Sequence, residues 1–310
     1  MRVGLAVPLG LPFDRIPALA RRAEELDYDL FASGEHVFFH GAVPNAMVAL
    51  AAAGGATERI RLLSALTLVP TYPAALLAKM AATLDAVTGG RFELGVGVGG
   101  EYPSELRACG VDPRHRGAYT DETLEVLAKL FTGERVTHEG RFVTIENDRL
   151  DPPPVQRPGP PLWVGGRKPA AVRRAGRFAD VWMPYLMEPR QVAASLAEVS
   201  EAAQAAGRKP DAVAGAYFAW THVDPDDARA RRDGIATLSR LYQQDMTPVA
   251  DRYLVLGSPE RVMQRLGEYA AAGVRTVLIA PACPDGAAES LVELVAETVL
   301  PALHSEEFAR

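Results

Sequence analysis

Short apolar runs alternate along the chain with longer stretches in which apolar residues recur every three or four positions. Val3 to Val7 reads as a buried strand. Ile16, Leu19, Ala20, Ala23 and Leu26 then share one face of a helix, with Asp14 placed to cap it. The same pair of signals recurs. Leu30 to Ser33 precedes a helix over Asn45 to Ala56, Ile60 to Val69 precedes Ala74 to Val87, and Phe92 to Val98 precedes Tyr119 to Phe131. After Gly133 the period changes: Val136 to Ile145 reads as an antiparallel ribbon turning at Glu139-Gly140, and a proline-rich connector from Pro152 to Pro161 follows. Further strands are predicted at Leu162–Val164, Asp180–Met183, Ala214–His222 and Thr276–Ala280. Helices are predicted at Ala170–Phe178, Val192–Ala206, Asp226–Tyr242, Pro259–Ala272 and Ala287–Leu303.

Strands alternating with helices imply a parallel sheet, and eight such units imply an α/β fold closed into a (β/α)8 TIM barrel. An open doubly wound sheet is the alternative, but it seldom runs to eight regular units. No internal repeat or long linker interrupts the pattern. Residues 1–310 therefore read as a single domain, with variable insertions at about 100–115, 132–161 and 240–257 that gather at the C-terminal face of the strands.

Composition narrows the function. The 310 residues are 48% apolar and 23% charged, ordinary for a globular chain and within the range of one barrel. A formal charge of −6 argues against a nucleic-acid partner, since counterion release needs a basic face; a local basic pocket for an anion stays open. Cys109 and Cys283 are the two cysteines, and thiols so far apart point to a reducing compartment rather than a disulfide framework. The N-terminal apolar run stops at Pro8, too short for a signal core, and no stretch has the ~20 apolar residues of a membrane span. A cytoplasmic protein acting on a small molecule, with neither nucleic acid nor membrane as partner, is expected.

Barrel active sites form where strands end. Those ends read Gly34-Glu35-His36, Thr67 to Tyr72, Gly97-Val98-Gly99-Gly100-Glu101-Tyr102, Gly165-Gly166-Arg167-Lys168, Trp182 to Tyr185, Trp220-Thr221-His222 and Pro281-Ala282-Cys283. Glycines, aromatics and polar groups share one rim, as a pocket for a flat ring with an anionic tail requires. Gly95 to Gly100 matches the dinucleotide fingerprint, but that motif needs a helix opening on its third glycine, and Pro103 and a loop are expected here. A strand end stripped of side chains, so that a planar ring lies against backbone, accounts for the glycines; simple tight packing does so too. Gly165 to Lys168 precedes a helix, where backbone N–H groups attract anions, although a solvated basic turn would look the same. His36 is suited to proton transfer near neutrality, or to a structural role. His40 and His222 complete no metal-ligand spacing, so no metal is expected.

Taken together and in order, Ser33-Gly34-Glu35-His36-Val37, Ala65 to Pro70, Gly89 to Gly99, Arg116-Gly117 and Trp163-Val164-Gly165-Gly166 resemble the luciferase-like monooxygenase superfamily. The likeness is strongest to its actinobacterial branch using the 5-deazaflavin coenzyme F420, and it spans nearly the whole chain. The resemblance implies that Glu35 and His36 sit beside the reactive ring carbon, His36 as acid/base or substrate-orienting group. It implies that Leu66-Thr67 lies in a bulge with a non-prolyl cis peptide backing the ring, and that Gly97 and Gly99 flank ring and side chain. Gly165, Gly166 and Arg167 would hold the phosphate, Arg116 would assist, and Trp182 would wall the pocket. Residues 100–115 and 132–161 would cover it. One departure stands out: bacterial luciferases carry a phosphate-binding arginine where this chain has Gly99.

The reading that follows is an F420-dependent oxidoreductase moving a hydride between the deazaflavin and a small organic substrate. An FMN-dependent monooxygenase on the same barrel is the alternative. A metal-dependent hydrolase and a non-catalytic flavin-binding protein are further rivals. A homodimer is implied by the resemblance.

Overall fold

A strand covered on both faces must be apolar at nearly every position. The short runs of this chain meet that demand in the computed structural model, which describes residues 1–305 and 308; residues 306, 307, 309 and 310 of the expected domain lie outside the described ones. In chain order the strands are β1 (Arg2–Ala6), β2 (Leu30–Ser33), β3 (Arg61–Ser64), β4 (Thr67–Leu68), β5 (Phe92–Gly97), β6 (Val136–Glu139), β7 (Thr144–Asp148), β8 (Leu162–Gly165), β9 (Val181–Met183), β10 (Ala214–Val223), β11 (Val255–Gly257) and β12 (Val274–Pro281). The helices are α1 (Ile16–Glu25), α2 (Ala46–Gly55), α3 (Ala74–Val87), α4 (Pro103–Ala108), α5 (Arg116–Leu130), α6 (Pro169–Phe178), α7 (Pro189–Ala205), α8 (Asp227–Tyr242), α9 (Ala250–Tyr253), α10 (Pro259–Ala271), α11 (Ala288–Thr298) and α12 (Leu300–Leu303).

β1, β2, β3, β5, β8, β9, β10 and β12 pair in parallel around a closed ring, with β12 beside β1 and β9 beside β10. The fold is the α/β barrel that the sequence pattern predicts. Alternation along each strand divides the core. Leu30, Ala32, Leu63, Trp163, Met183 and Leu278 fill the barrel, whereas Leu5, Phe31, Leu62, Val164, Trp182 and Tyr217 pack outward against the helices. The N-terminal end of the barrel is sealed by charge. Glu93, almost wholly buried, accepts from Arg2 at 3.0 Å, from Trp163 Nε1 at 2.6 Å and from Arg61.

The structure corrects three local expectations and refines a fourth. Asp14 does not cap α1: it lies in a 3-10 turn over Phe13–Arg15 that runs straight into the helix, and Arg15 is the cap position, without a side-chain bond. The run Ile60 to Val69 is two strands, because β3 stops at Ser64 and β4 resumes at Thr67. The loop after Gly100 contains the short helix α4, with Pro103 in its first turn, where proline's missing N–H costs nothing. Finally, the ribbon β6–β7 leaves from the C-terminus of α5 and packs along that helix. Glu122 of α5 accepts from the backbone N–H of Phe142 and Val143 at 2.9 and 2.8 Å. No residue of 132–161 lines the cavity described below; the ribbon's tip packs beside that lining, Phe142 meeting His115 and Tyr119. Strand β11, which extends the sheet beside Thr221 to Val223, has too short an apolar run to announce itself.

Candidate active site

At the C-terminal ends of the strands lies a cavity of about 740 Å³. In the ring order, β1 stands four strands from β8, and β3 four strands from β10, so these pairs face each other across the opening. The β1 side is apolar (Ala6, Val7, Pro8, Leu9 and Phe13), and the β8 side is glycine and cation (Gly165, Gly166, Arg167 and Lys168).

The loop after β2 is held by a buried carboxylate. Glu35 accepts from Leu68 N at 2.8 Å, Tyr72 OH at 2.8 Å, Asn45 Nδ2 at 3.1 Å and Ala46 N at 3.2 Å. Ala46 opens α2, where a negative group is favoured by the free N–H groups and the helix dipole. Burial pushes the Glu35 carboxyl above its ordinary range, against the opposing pull of the bonds from Leu68, Tyr72 and Ala46. The result is a clamp joining β2, β4 and α2.

His36 follows directly. Its Nδ1 lies 3.2 and 3.3 Å from the two carboxylate oxygens of Glu105, a fully buried residue of α4 that also accepts from Val37 N at 3.1 Å. A carboxylate only accepts, so Nδ1 carries hydrogen and Nε2 is the nitrogen free to exchange a proton. The imidazole stacks on Phe39, with centroids 4.4 Å apart, and meets Tyr102 edge-on. Glu105 is invisible to motif reasoning because its segment reads as loop; Pro103, with a glutamate two residues later, is the signal for a short helix there.

The glycines separate by purpose. A Cβ on Gly95 would stand 2.0 Å from Ser64 O, and one on Gly165 would stand 2.0 Å from Leu66 Cδ1. Both therefore make room for the chain between β3 and β4, where the Ala65–Leu66 peptide is cis. The cis bond thus falls one residue before Leu66-Thr67. Gly97 has only Leu66 nearby, at 3.4 Å, and Gly99 has φ +64°. Both keep the cavity wall bare, and Gly99 also adopts a turn that side chains resist.

Glu35, His36, Leu66, Gly97, Gly99, Arg116, Gly165, Gly166 and Arg167 all line the one cavity. Two expected residues do not. Leu66 and Leu68 line it, and strand alternation turns Thr67 to the opposite side, buried with its Oγ1 unpartnered. Trp182 is likewise turned outward between Val181 and Met183, which belong to the barrel interior. It does not wall the cavity; it donates from Nε1 to Gly166 O at 2.9 Å and steadies the glycine turn. His222 is buried, with its basicity lowered by that burial, and it too is absent from the lining. No group of three metal-ligating side chains forms among the described residues.

The electrostatics of the rim are uneven. Arg114 is paired with Asp112, and Arg174 with Asp121. Arg116, Arg167 and Lys168 form no ion pair with a carboxylate among the described residues. Arg116 donates only to Pro113 O, at 2.7 Å, and Arg167 only to backbone, to Leu186 O at 2.9 Å and Tyr185 O at 3.4 Å, with its guanidinium over the Tyr185 ring. No side chain caps α6, which starts beside Gly166 and Lys168. Uncompensated cations around a helix N-terminus form a site for an anion. Bare glycine backbone across from an apolar wall suits a flat ring. A flavin-type cofactor with a phosphorylated tail fits both features.

A barrel with a ring-sized slot, an anion-holding rim and a histidine at its mouth defines a class of cofactor-dependent oxidoreductases. The sequence model of the luciferase-like monooxygenase family matches residues 1–276, and the chain belongs to that family, whose members are oxidoreductases. Among solved structures it is similar to a monooxygenase of Streptomyces bottropensis, with 25% identity, a TM-score of 0.86, and coverage of 97% of this chain and 99% of that one. It also shares the fold of an F420-dependent secondary alcohol dehydrogenase solved with an F420–acetone adduct (22% identity, TM-score 0.84, 98% and 99% covered). The FMN-bound oxygenating component of a Pseudomonas putida diketocamphane monooxygenase shares it as well (21%, 0.79, 97% and 98%). Among the described residues no helix is long and apolar enough to cross a membrane.

Proposed function

We propose that the chain is an oxidoreductase that binds coenzyme F420 and reduces or oxidises a small organic substrate. The observation that carries this reading is the His36–Glu105 pair: a histidine oriented at Nδ1 by a buried carboxylate, with Nε2 available at the cavity, across from a rim of unpaired cations. When bound, the deazaflavin supplies hydride chemistry at one ring carbon. His36 Nε2 gives or takes the proton that accompanies the hydride on the substrate's oxygen. Glu105 acts through His36 as a positioning residue. Glu35 is a positioning residue too, since its oxygens already accept from four donors. Gly166, Arg116, Arg167 and Lys168 hold the anionic tail, and Gly97, Gly99 and Leu66 support the ring. The apolar residues of the β1 side exclude water.

Fluorescence titration of the purified protein with F420 and with FMN tests the assignment; tight F420 binding is expected. Tight FMN binding without F420 binding would overturn it in favour of an FMN-dependent monooxygenase. That second reading is supported by the 25% identity to the Streptomyces monooxygenase and is diagnosed by substrate turnover that stops when oxygen is removed.

The reading extends to assembly and place. Two copies would associate through the outer faces of α2 and α3, where Val48, Leu76 and Val87 are exposed and α2 has no charged residue; sedimentation as a monomer would count against this. Both cysteines are free, in keeping with a cytoplasmic location.

A further inference from the structure

The wall across from the chain between β3 and β4 is aromatic. Phe218 and Trp220 of β10, Tyr185 after β9 and Tyr242 at the end of α8 all line the cavity, together with Met183 and Leu241. Phe218 and Trp220 meet edge-to-face at 5.2 Å, and Trp220 and Tyr242 at 6.3 Å.

The two tyrosines differ in what their hydroxyls do. Tyr185 donates to Glu101 at 2.7 Å, so its proton is committed. The Tyr242 oxygen accepts from Trp220 Nε1 at 3.1 Å. Its own hydrogen has no acceptor among the described residues. Burial pushes the Tyr242 phenol well up, so the group stays a donor. A hydroxyl oriented by a neighbouring indole, half-buried and without an acceptor, is built to meet one that a ligand brings.

We propose that Tyr242, oriented by Trp220, is the substrate-positioning hydrogen-bond donor of a subsite for a neutral, flat, unsaturated or aromatic compound that carries a carbonyl oxygen. The proposal deepens the oxidoreductase reading and rests on it. A ring placed on Leu66 and Gly97 leaves the β10 side for the substrate. Edge-to-face and stacked contacts favour a planar partner there. Phe218, Trp220, Leu241 and Met183 are uncharged, and the two charges nearest them, Glu101 and Arg167, are of opposite sign and are engaged by the Tyr185 hydroxyl and ring.

The test compares 2-acetylnaphthalene with 2-ethylnaphthalene, which has the same shape without the carbonyl, by quenching of intrinsic fluorescence in the wild type and in Tyr242→Phe. The substitution is expected to weaken the ketone about fivefold, the size of one neutral hydrogen bond, and to leave the hydrocarbon unchanged. Equal effects on both probes, or none on the ketone, would overturn the assignment. Should Tyr242→Phe fail to fold, the infrared carbonyl band of the bound ketone in the wild type decides. A band below its position in hexane is expected, and one at the hexane position counts against the proposal. The cofactor titrations are read separately. A protein that binds neither cofactor yet keeps the Tyr242-dependent ketone effect refutes the oxidoreductase reading alone. One that binds F420 without that effect refutes this subsite alone.

Discussion

The two ends of the barrel treat charge in opposite ways: one buries Glu93 among its partners, and the other exposes Arg167 and Lys168 at its rim. At the N-terminal end Glu93 is matched by Arg2, Arg61 and Trp163, and Arg61 continues to Gln156 at 2.9 Å. Arg91 beside this cluster is likewise satisfied within the protein, by the carbonyl oxygens of Gly54, Thr57 and Ile60. At the C-terminal end the two buried carboxylates, Glu35 and Glu105, hold loops and His36, while three cations of the rim have no carboxylate partner. An end whose charges balance internally stabilises the fold. An end with unpaired cations suits an anionic ligand.

That contrast is sharpest when each end is damaged in turn. His36→Asn keeps a donor toward Glu105 but has no second ring nitrogen to exchange a proton, and turnover should fall by about 10²–10⁴-fold with cofactor affinity retained. Steady-state kinetics beside a cofactor titration measure this; near-normal turnover would remove His36 from the chemistry. Glu93→Ala should do the converse. It leaves Arg61 and Trp163 without their acceptor and should cost roughly 3 kcal/mol in denaturant unfolding, with the cofactor dissociation constant unchanged. Lys168→Ala removes an unpaired rim cation, so cofactor affinity should drop about tenfold, by roughly 1.4 kcal/mol. The loss should shrink as salt is raised, and stability should hold.

The smallest effect concerns Glu35, whose folded pKa is raised. A carboxyl with a raised folded value binds more protons when folded than when unfolded. Its contribution is therefore fully present below the ordinary glutamate value of 4.5 and is lost as pH climbs through the folded one. The stability of the wild type relative to Glu35→Gln should accordingly fall as pH rises above 4.5. Melting temperatures across that window measure the slope, and a wild type that gains stability relative to the variant as pH rises would reverse the assigned direction.

Much of the architecture was legible along the chain because burial on both faces leaves an uninterrupted apolar signature: β2 and α3 match their predicted bounds. Where local chemistry is ambiguous the residues leave the element open. A 3-10 turn replaced the expected cap at Asp14, and α4 is too short for helical periodicity to register. At the site, the glycines, His36, Glu35, Arg116 and Arg167 were legible as strand-end residues of unusual type. Thr67 and Trp182 were misplaced because sequence order does not say which side of a strand a residue faces; a shift of one position inverts it. Glu105, Phe218 and Tyr242 could not be assigned, since Glu105 reaches His36, and Phe218 and Tyr242 the cavity, from elements whose orientation depends on the packing of others.

From the order of its residues alone, this protein is an eight-fold alternation of buried strands and amphipathic helices with a glycine-rich, cationic mouth. Those properties are local, set by side-chain polarity and backbone freedom. The tertiary structure decided which groups meet: that a glutamate 69 positions away orients His36, that Gly95 and Gly165 yield space to Ser64 and Leu66, and that Trp220 leaves one tyrosine proton unclaimed. Such pairings depend on barrel closure, which brings distant strand ends to a single rim.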